Sequence, residues 1–354
     1  MPPQAPGRTI AGMPARLILL LVSLLASLQA CEKKSTWYRA EERLYHGIPV
    51  MVSFAPRNNE LASAVWGYLR SIDDVFNIYR ADSELGRINR MKERNHIGVS
   101  SGLARAIRLS QKAHEQTAGA FDPTVGRVIH LWRNAAGRGE PPPPQELERA
   151  LASRGLEKVI LKGNRLTIEN PDLQLDLGGM VKGMATDEAV RMLRAGGARA
   201  ALVQVGGETA AFGISEKGRP HVIGVQHPLQ LERIWTTVST PDPLQGLSIS
   251  TSGNYRNPVV IGGRKFYHIV DPRTGQPVND RVLSVSVVFP ECGKNWLADA
   301  LSTAFAVLGP DQALPIAAKL GGQAMFLIEV DKKIVEKKSP EWDKLYPAVT
   351  RRSR

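Results

Sequence analysis

Only two cysteines, Cys31 and Cys292, occur in 354 residues, at opposite ends of the sequence, so a fold stapled by disulfides is excluded. Aromatic residues are scarce, at 6%. No basic stripe is interleaved with them, which removes the stacking platforms single-strand nucleic-acid binders need; no nucleic-acid partner is expected. Long hydrophobic runs are missing too: Leu17 to Leu28, as a helix, would cover about 18 Å, well short of a hydrocarbon core of about 30 Å. Gly-x-Ser-x-Gly, His-Glu-x-x-His, Cys-x-x-Cys, Gly-x-Gly-x-x-Gly and Walker signatures are all absent. What is there is an enzyme-sized globular composition, 43% apolar and 23% charged, with a formal charge of +12 that attracts anionic partners.

Arg8 and Arg16 precede the apolar run, and the charged stretch Glu32-Lys33-Lys34 follows it, the pattern of a signal peptide over residues 1–30. Leu28-Gln29-Ala30-Cys31 resembles the lipobox of bacterial lipoproteins. That resemblance implies acylation of Cys31, a tether over 31–44, and a lipid-anchored protein of the bacterial cell envelope facing the periplasm or cell exterior; simple secretion is the alternative. A folded domain over 45–346 and a basic tail over 347–354 complete the expected organisation.

Periodicity predicts a strand at Val50–Phe54, a helix through Leu61, Val65, Leu69, Ile72 and Phe76, and another through Leu103, Ile107 and Ala113. A hairpin is predicted over 159–168, with further strands at 173–177, 201–205, 221–226, 248–251, 282–289 and 324–330. Helices are predicted at 183–195, 296–308 and 310–320. Hairpins and helices without regular alternation indicate an α+β fold.

Five segments carry more chemistry than a core requires. In Asp176-Leu177-Gly178-Gly179-Met180-Val181-Lys182-Gly183 a glycine turn opens a helix, offering backbone N–H groups, a helix N-terminus and a lysine to a phosphate; a tight turn with a surface lysine is the plainer alternative. Asp299 and Thr303, four apart on one helix, direct two oxygens the same way, half of a magnesium shell. A helix-dipole aspartate and a threonine bonded to its own turn would look the same. Ser250-Thr251-Ser252-Gly253-Asn254-Tyr255-Arg256 and the stretch from Tyr267-His268 to Gly275-Gln276-Pro277 bring hydroxyls and a titratable imidazole; His268 is the best placed of the seven histidines for proton transfer. Tyr79, near Asp82-Ser83-Glu84-Leu85, offers a stacking surface, and Ala120-Phe121-Asp122-Pro123 offers a carboxylate at a turn.

Taken together and in order, these segments, with Val205-Gly206-Gly207-Glu208 and Leu131-Trp132, resemble the ApbE family of FAD:protein FMN transferases, formerly labelled thiamine biosynthesis lipoproteins. The resemblance runs from about Tyr45 to Tyr346. It implies a T-fold-like α+β core with a smaller appended part and FAD in the cleft between. It further implies a magnesium-dependent cleavage of FAD that releases AMP and places FMN on a threonine or serine hydroxyl of a partner protein. By the same resemblance Asp299, Thr303 and the Gly179 carbonyl hold Mg²⁺, and Tyr79, Ala120, Phe121, Asp122, Asp176, Lys182 and Thr251 contact FAD. His268 is the candidate base. The implied partner is a periplasm-facing, flavin-accepting subunit of a membrane redox complex. Where the family writes Met-Gly-Thr before its first strand, this chain has His46-Gly47-Ile48. An FAD pyrophosphatase and a non-catalytic flavin-binding lipoprotein are the competing expectations.

Overall fold

The computed structural model describes residues 36–253, 259–266, 268–278 and 281–347. The expected signal peptide, Cys31, and the tail beyond residue 347 lie outside the described residues, as do Asn254-Tyr255-Arg256 and Tyr267.

Side chains that alternate between two faces build one eight-stranded antiparallel sheet: β1 (Tyr38–Leu44), β2 (Ile48–Ala55), β3 (Ala200–Val205), β4 (Glu208–Phe212), β5 (Leu247–Gly253), β6 (Val282–Phe289), β7 (Gln323–Val330) and β8 (Lys333–Lys338). Their order in space is their order in sequence. One face presents Val50, Val52, Phe54, Val203, Val205, Val285, Val287 and Phe326 to a layer of helices. That layer holds α1 (Asn59–Phe76), α2 (Glu84–Arg90), α3 (Ser101–Gln116), α6 (Val181–Ala195), α7 (Asn295–Leu308) and α8 (Pro310–Lys319). The opposite face buries Leu247, Ile249, Val288 and Leu327 beneath Trp342, Tyr346 and a separate hairpin, Val222–Gln226 with Ile234–Ser239. A smaller apolar cluster gathers α4 (Gly126–Arg138), α5 (Pro144–Ser153) and residues around Ile261 and Val270 into an appended part. It is pinned to the 271–277 turn, where Trp132 Nε1 donates to the Gly275 carbonyl at 2.7 Å.

Two expectations are corrected. The segment predicted as a tether over 31–44 carries β1, registered from Tyr38 opposite Phe54 to Leu44 opposite Ile48. Its charged residues Arg39, Glu41 and Arg43 face solvent, while Tyr38, Ala40 and Leu44 pack on the core, as an edge strand allows. Residues 173–177, predicted as a strand, join none of the sheets and make only an isolated parallel bridge, Gln174 with Val125. The Asn89 amide donates to the Leu175 carbonyl at 2.8 Å and accepts from its N–H at 2.9 Å, and the Asp176 N–H goes to the Pro123 carbonyl. With its backbone groups bonded to a side chain and a loop, the segment has no need of a neighbouring strand.

Candidate active site

Two helices carry the metal-type and phosphate-type motifs, and they are locked side by side through their N-terminal halves. Asp187, buried on α6, accepts from the N–H groups of Asn295 and Trp296, both at 2.9 Å, and so caps the first turn of α7 from another element. Burial pushes its carboxyl up to about 7 while those donors pull the other way. One turn earlier on α6, the Gly183 N–H donates to Asp299 Oδ2 at 2.9 Å. A Cβ at Gly183 would lie 2.2 Å from the Asn295 carbonyl oxygen, so only glycine lets the helices approach this closely.

Beside that contact lies a cleft of about 320 Å³ between the core and the appended part. Ala120, Phe121, Asp122, Asp176, Gly179, Lys182, His268, Asp299 and Thr303 all line it. Residues drawn from segments more than 180 positions apart therefore meet in one space. Thr303 Oγ1 sits close enough to Gly179 to be 3.3 Å from a Cβ placed there, which sets hydroxyl beside backbone. Asp122 Oδ1 accepts from the N–H and hydroxyl of Thr124, and its other oxygen faces Arg154 at 3.6 Å. Asp176 Oδ1 accepts from the Gly178 N–H at 2.8 Å and shapes the glycine turn. Ile48, from the turn where the family pattern is broken, also borders the cleft.

Lys182 reaches inward rather than out to solvent. Its Nζ lies 3.4 Å from both Asp299 oxygens and 3.5 Å from Glu208 Oε1. Burial opposes its charge, but the two carboxylates outweigh that and hold the ammonium above the usual lysine range. Burial and the Asp299 charge push Glu208 upward against the pull of Lys182. The imidazole of His268 has a buried Nδ1 without a partner among the described residues; burial, then the charges of Lys182 and Arg133, lowers it to about 4. At neutral pH it is therefore uncharged and able to accept a proton.

Tyr79 borders a neighbouring basin that shares Ile48, Arg133, Asp176, Gly178 and Lys182 with the cleft. One face of its ring is taken by Arg133, whose guanidinium carbon is 5.0 Å from the ring centroid. Thr251 does not join the site. It faces the other side of the sheet, bonded to Ser286 at 2.8 Å and lining a cavity with Gln204, Thr209 and Ile249, while its neighbour Ser252 lines the cleft. Strand alternation forbids both from facing one side. Sequence reasoning missed Glu208 and Arg133 as site residues: the first sits inside a quoted motif without a role, the second in no motif at all.

Among the described residues no group of three or more His, Cys, Asp or Glu could hold a metal ion, so a site held by side-chain ligands alone is not built. The donors present are one carboxylate, one hydroxyl and a backbone carbonyl, all hard oxygens that fit Mg²⁺ completed by substrate phosphate.

Residues 46–327 match the ApbE family. A FAD:protein FMN transferase of Vibrio cholerae is 30% identical over 266 residues, covering 74% of this chain and 78% of that protein. The enzyme of the same name from Escherichia coli K12 is 31% identical over 281 residues, covering 77% and 78%. The apo crystal structure of the flavinyl transferase ApbE of Pseudomonas stutzeri superimposes with a TM-score of 0.76 at 28% identity, over 88% of this chain and 96% of that one. This chain belongs to the ApbE family. The α+β fold is thus the ApbE fold, and the family match begins at His46, leaving β1 outside it while enclosing every cleft residue named above.

Proposed function

We propose that this ApbE family member transfers the FMN portion of FAD to a threonine or serine hydroxyl of an acceptor protein. The observation that carries the reading is that Gly179, Lys182, His268, Asp299 and Thr303 line a single cleft. The acceptor oxygen forms a bond to the phosphorus on the riboflavin side of FAD, the bridging P–O bond breaks, and AMP leaves with the bridging oxygen. Neutral His268 takes the hydroxyl proton. Asp299, Thr303 and the Gly179 carbonyl would hold Mg²⁺, which when bound supplies charge neutralisation for the diphosphate. Lys182 keeps Asp299 and Glu208 compensated, and Asp122 and Asp176 fix the turns that bound the cleft. Incubation with FAD, Mg²⁺ and a flavin-accepting redox subunit is expected to raise the acceptor's mass by one FMN less water. Free FMN with an unmodified acceptor would replace this reading by hydrolysis, and intact FAD would replace it by binding alone.

Replacing His268 by alanine is expected to slow transfer about 100-fold or more while FAD still binds, general-base removal being worth about 10²–10⁴. The free enzyme's kcat/KM should keep its acid limb nearer pH 4 than 6.5, because protonation of His268, which removes the base, occurs only below its lowered value of about 4. An acid limb centred at 6.5 would contradict that environment.

The chemistry of the N-terminus supports a lipid-anchored enzyme of the cell envelope, with its acceptor a periplasm-facing subunit of a membrane redox complex. No helix among the described residues is long and apolar enough to cross a membrane. Cys31→Ala is expected to move the protein from the membrane fraction to the soluble one; firm retention would argue against lipidation.

A further inference from the structure

We infer that Arg133 binds the diphosphate of the dinucleotide and marks the junction from which its two arms diverge, an inference that rests on the proposed FAD chemistry. Three basins meet at this residue. Arg133 lines the cleft with His268 and Asp299, the apolar basin with Tyr45, Phe76 and Tyr79, and a third basin with Arg90, His130 and Gln174. A ligand with an anionic centre and two planar ends matches that layout.

Charge accounting leads to the same residue. Lys182 is committed to Asp299 and Glu208, and Arg154 faces Asp122. Among the described residues Arg133 has no carboxylate within ion-pair distance, and its guanidinium lies over the face of Tyr79. The guanidinium is thus oriented by an aromatic face while its N–H donors stay unpaired with any acid. Its charge also bears on His268, so it sits near the reacting end of the cleft. A planar fork of donors suits phosphate oxygens better than a point charge does.

The test is equilibrium binding of FAD and of riboflavin, followed by flavin fluorescence without metal or acceptor, for the wild-type chain, Arg133→Gln and Arg133→Lys. Loss of a charge-assisted contact should weaken FAD by about tenfold or more in Arg133→Gln, with Arg133→Lys in between. Riboflavin, which has no phosphate, should change by less than about threefold by the same reasoning. An equal loss for both ligands would assign Arg133 to packing against Tyr79 and overturn the inference, as would unchanged FAD binding. Because no transfer step is involved, a chain that binds FAD through Arg133 but modifies no acceptor would overturn the proposed function and leave this inference intact.

Discussion

Asp299→Asn is expected to abolish transfer, with kcat/KM falling by at least about a thousandfold, because the charge that holds the cation beside the diphosphate is lost and such stabilisation is worth several kcal/mol. Asparagine keeps an oxygen of the same reach for the Gly183 N–H, which Asp299 Oδ2 now accepts at 2.9 Å, so the helix contact survives. The unfolding midpoint should consequently stay close to that of the wild type, and the loss can be ascribed to chemistry. Activity would be measured across a magnesium series: transfer at the wild-type rate at the magnesium concentration the wild type needs would end the assignment of Asp299 to the cation. Lys182 bears on the result as well, since its ammonium loses one of its two carboxylate neighbours and is left with Glu208.

That pair of residues was legible before any coordinates because it is local. Asp299 and Thr303 share one helix, and four-residue spacing alone sets them on one side. His268 and the glycine turn were legible through their motifs. Thr251 was misplaced because hydroxyls at 250, 251 and 252 give a pattern with no apolar alternation to say which side faces the core; Ser250 and Ser252 both reach Ser302 on α7, and Thr251 points away. Glu208 and Arg133 escaped for a different reason. Their roles depend on which elements the fold brings against them, and one glutamate at a strand start or one arginine on an amphipathic helix carries no such information. β1 escaped because an exposed edge strand needs few apolar residues, and its sequence, Tyr-Arg-Ala-Glu-Glu-Arg-Leu, reads as a polar linker.

The second large effect is steric. Gly183→Ala is expected both to lower the unfolding midpoint and to cost about 100-fold or more in transfer. The added methyl would meet the Asn295 carbonyl at 2.2 Å and 2.5 Å and the Asp299 Cβ at 2.8 Å, and backbone cannot yield as the end of a long side chain does. Overpacking of this kind costs about 1–3 kcal/mol. The catalytic penalty comes on top of the stability penalty because α6 carries Lys182, α7 carries Asp299 and Thr303, and a misplacement of about 1 Å costs about 10² in rate. Gly67→Ala is the control: it lies on α1, and nothing stands within 4 Å of the added carbon. Equal behaviour of the two variants in melting and in rate would mean that the close approach of the helices does not govern the site.

The direction of β1 has a consequence for reach. This strand of seven residues, about 24 Å long, enters at Tyr38 and delivers the chain to the Tyr45–Ile48 turn that borders the substrate basins. Tyr38 and the residues at the mouth of those basins therefore stand at opposite ends of the strand.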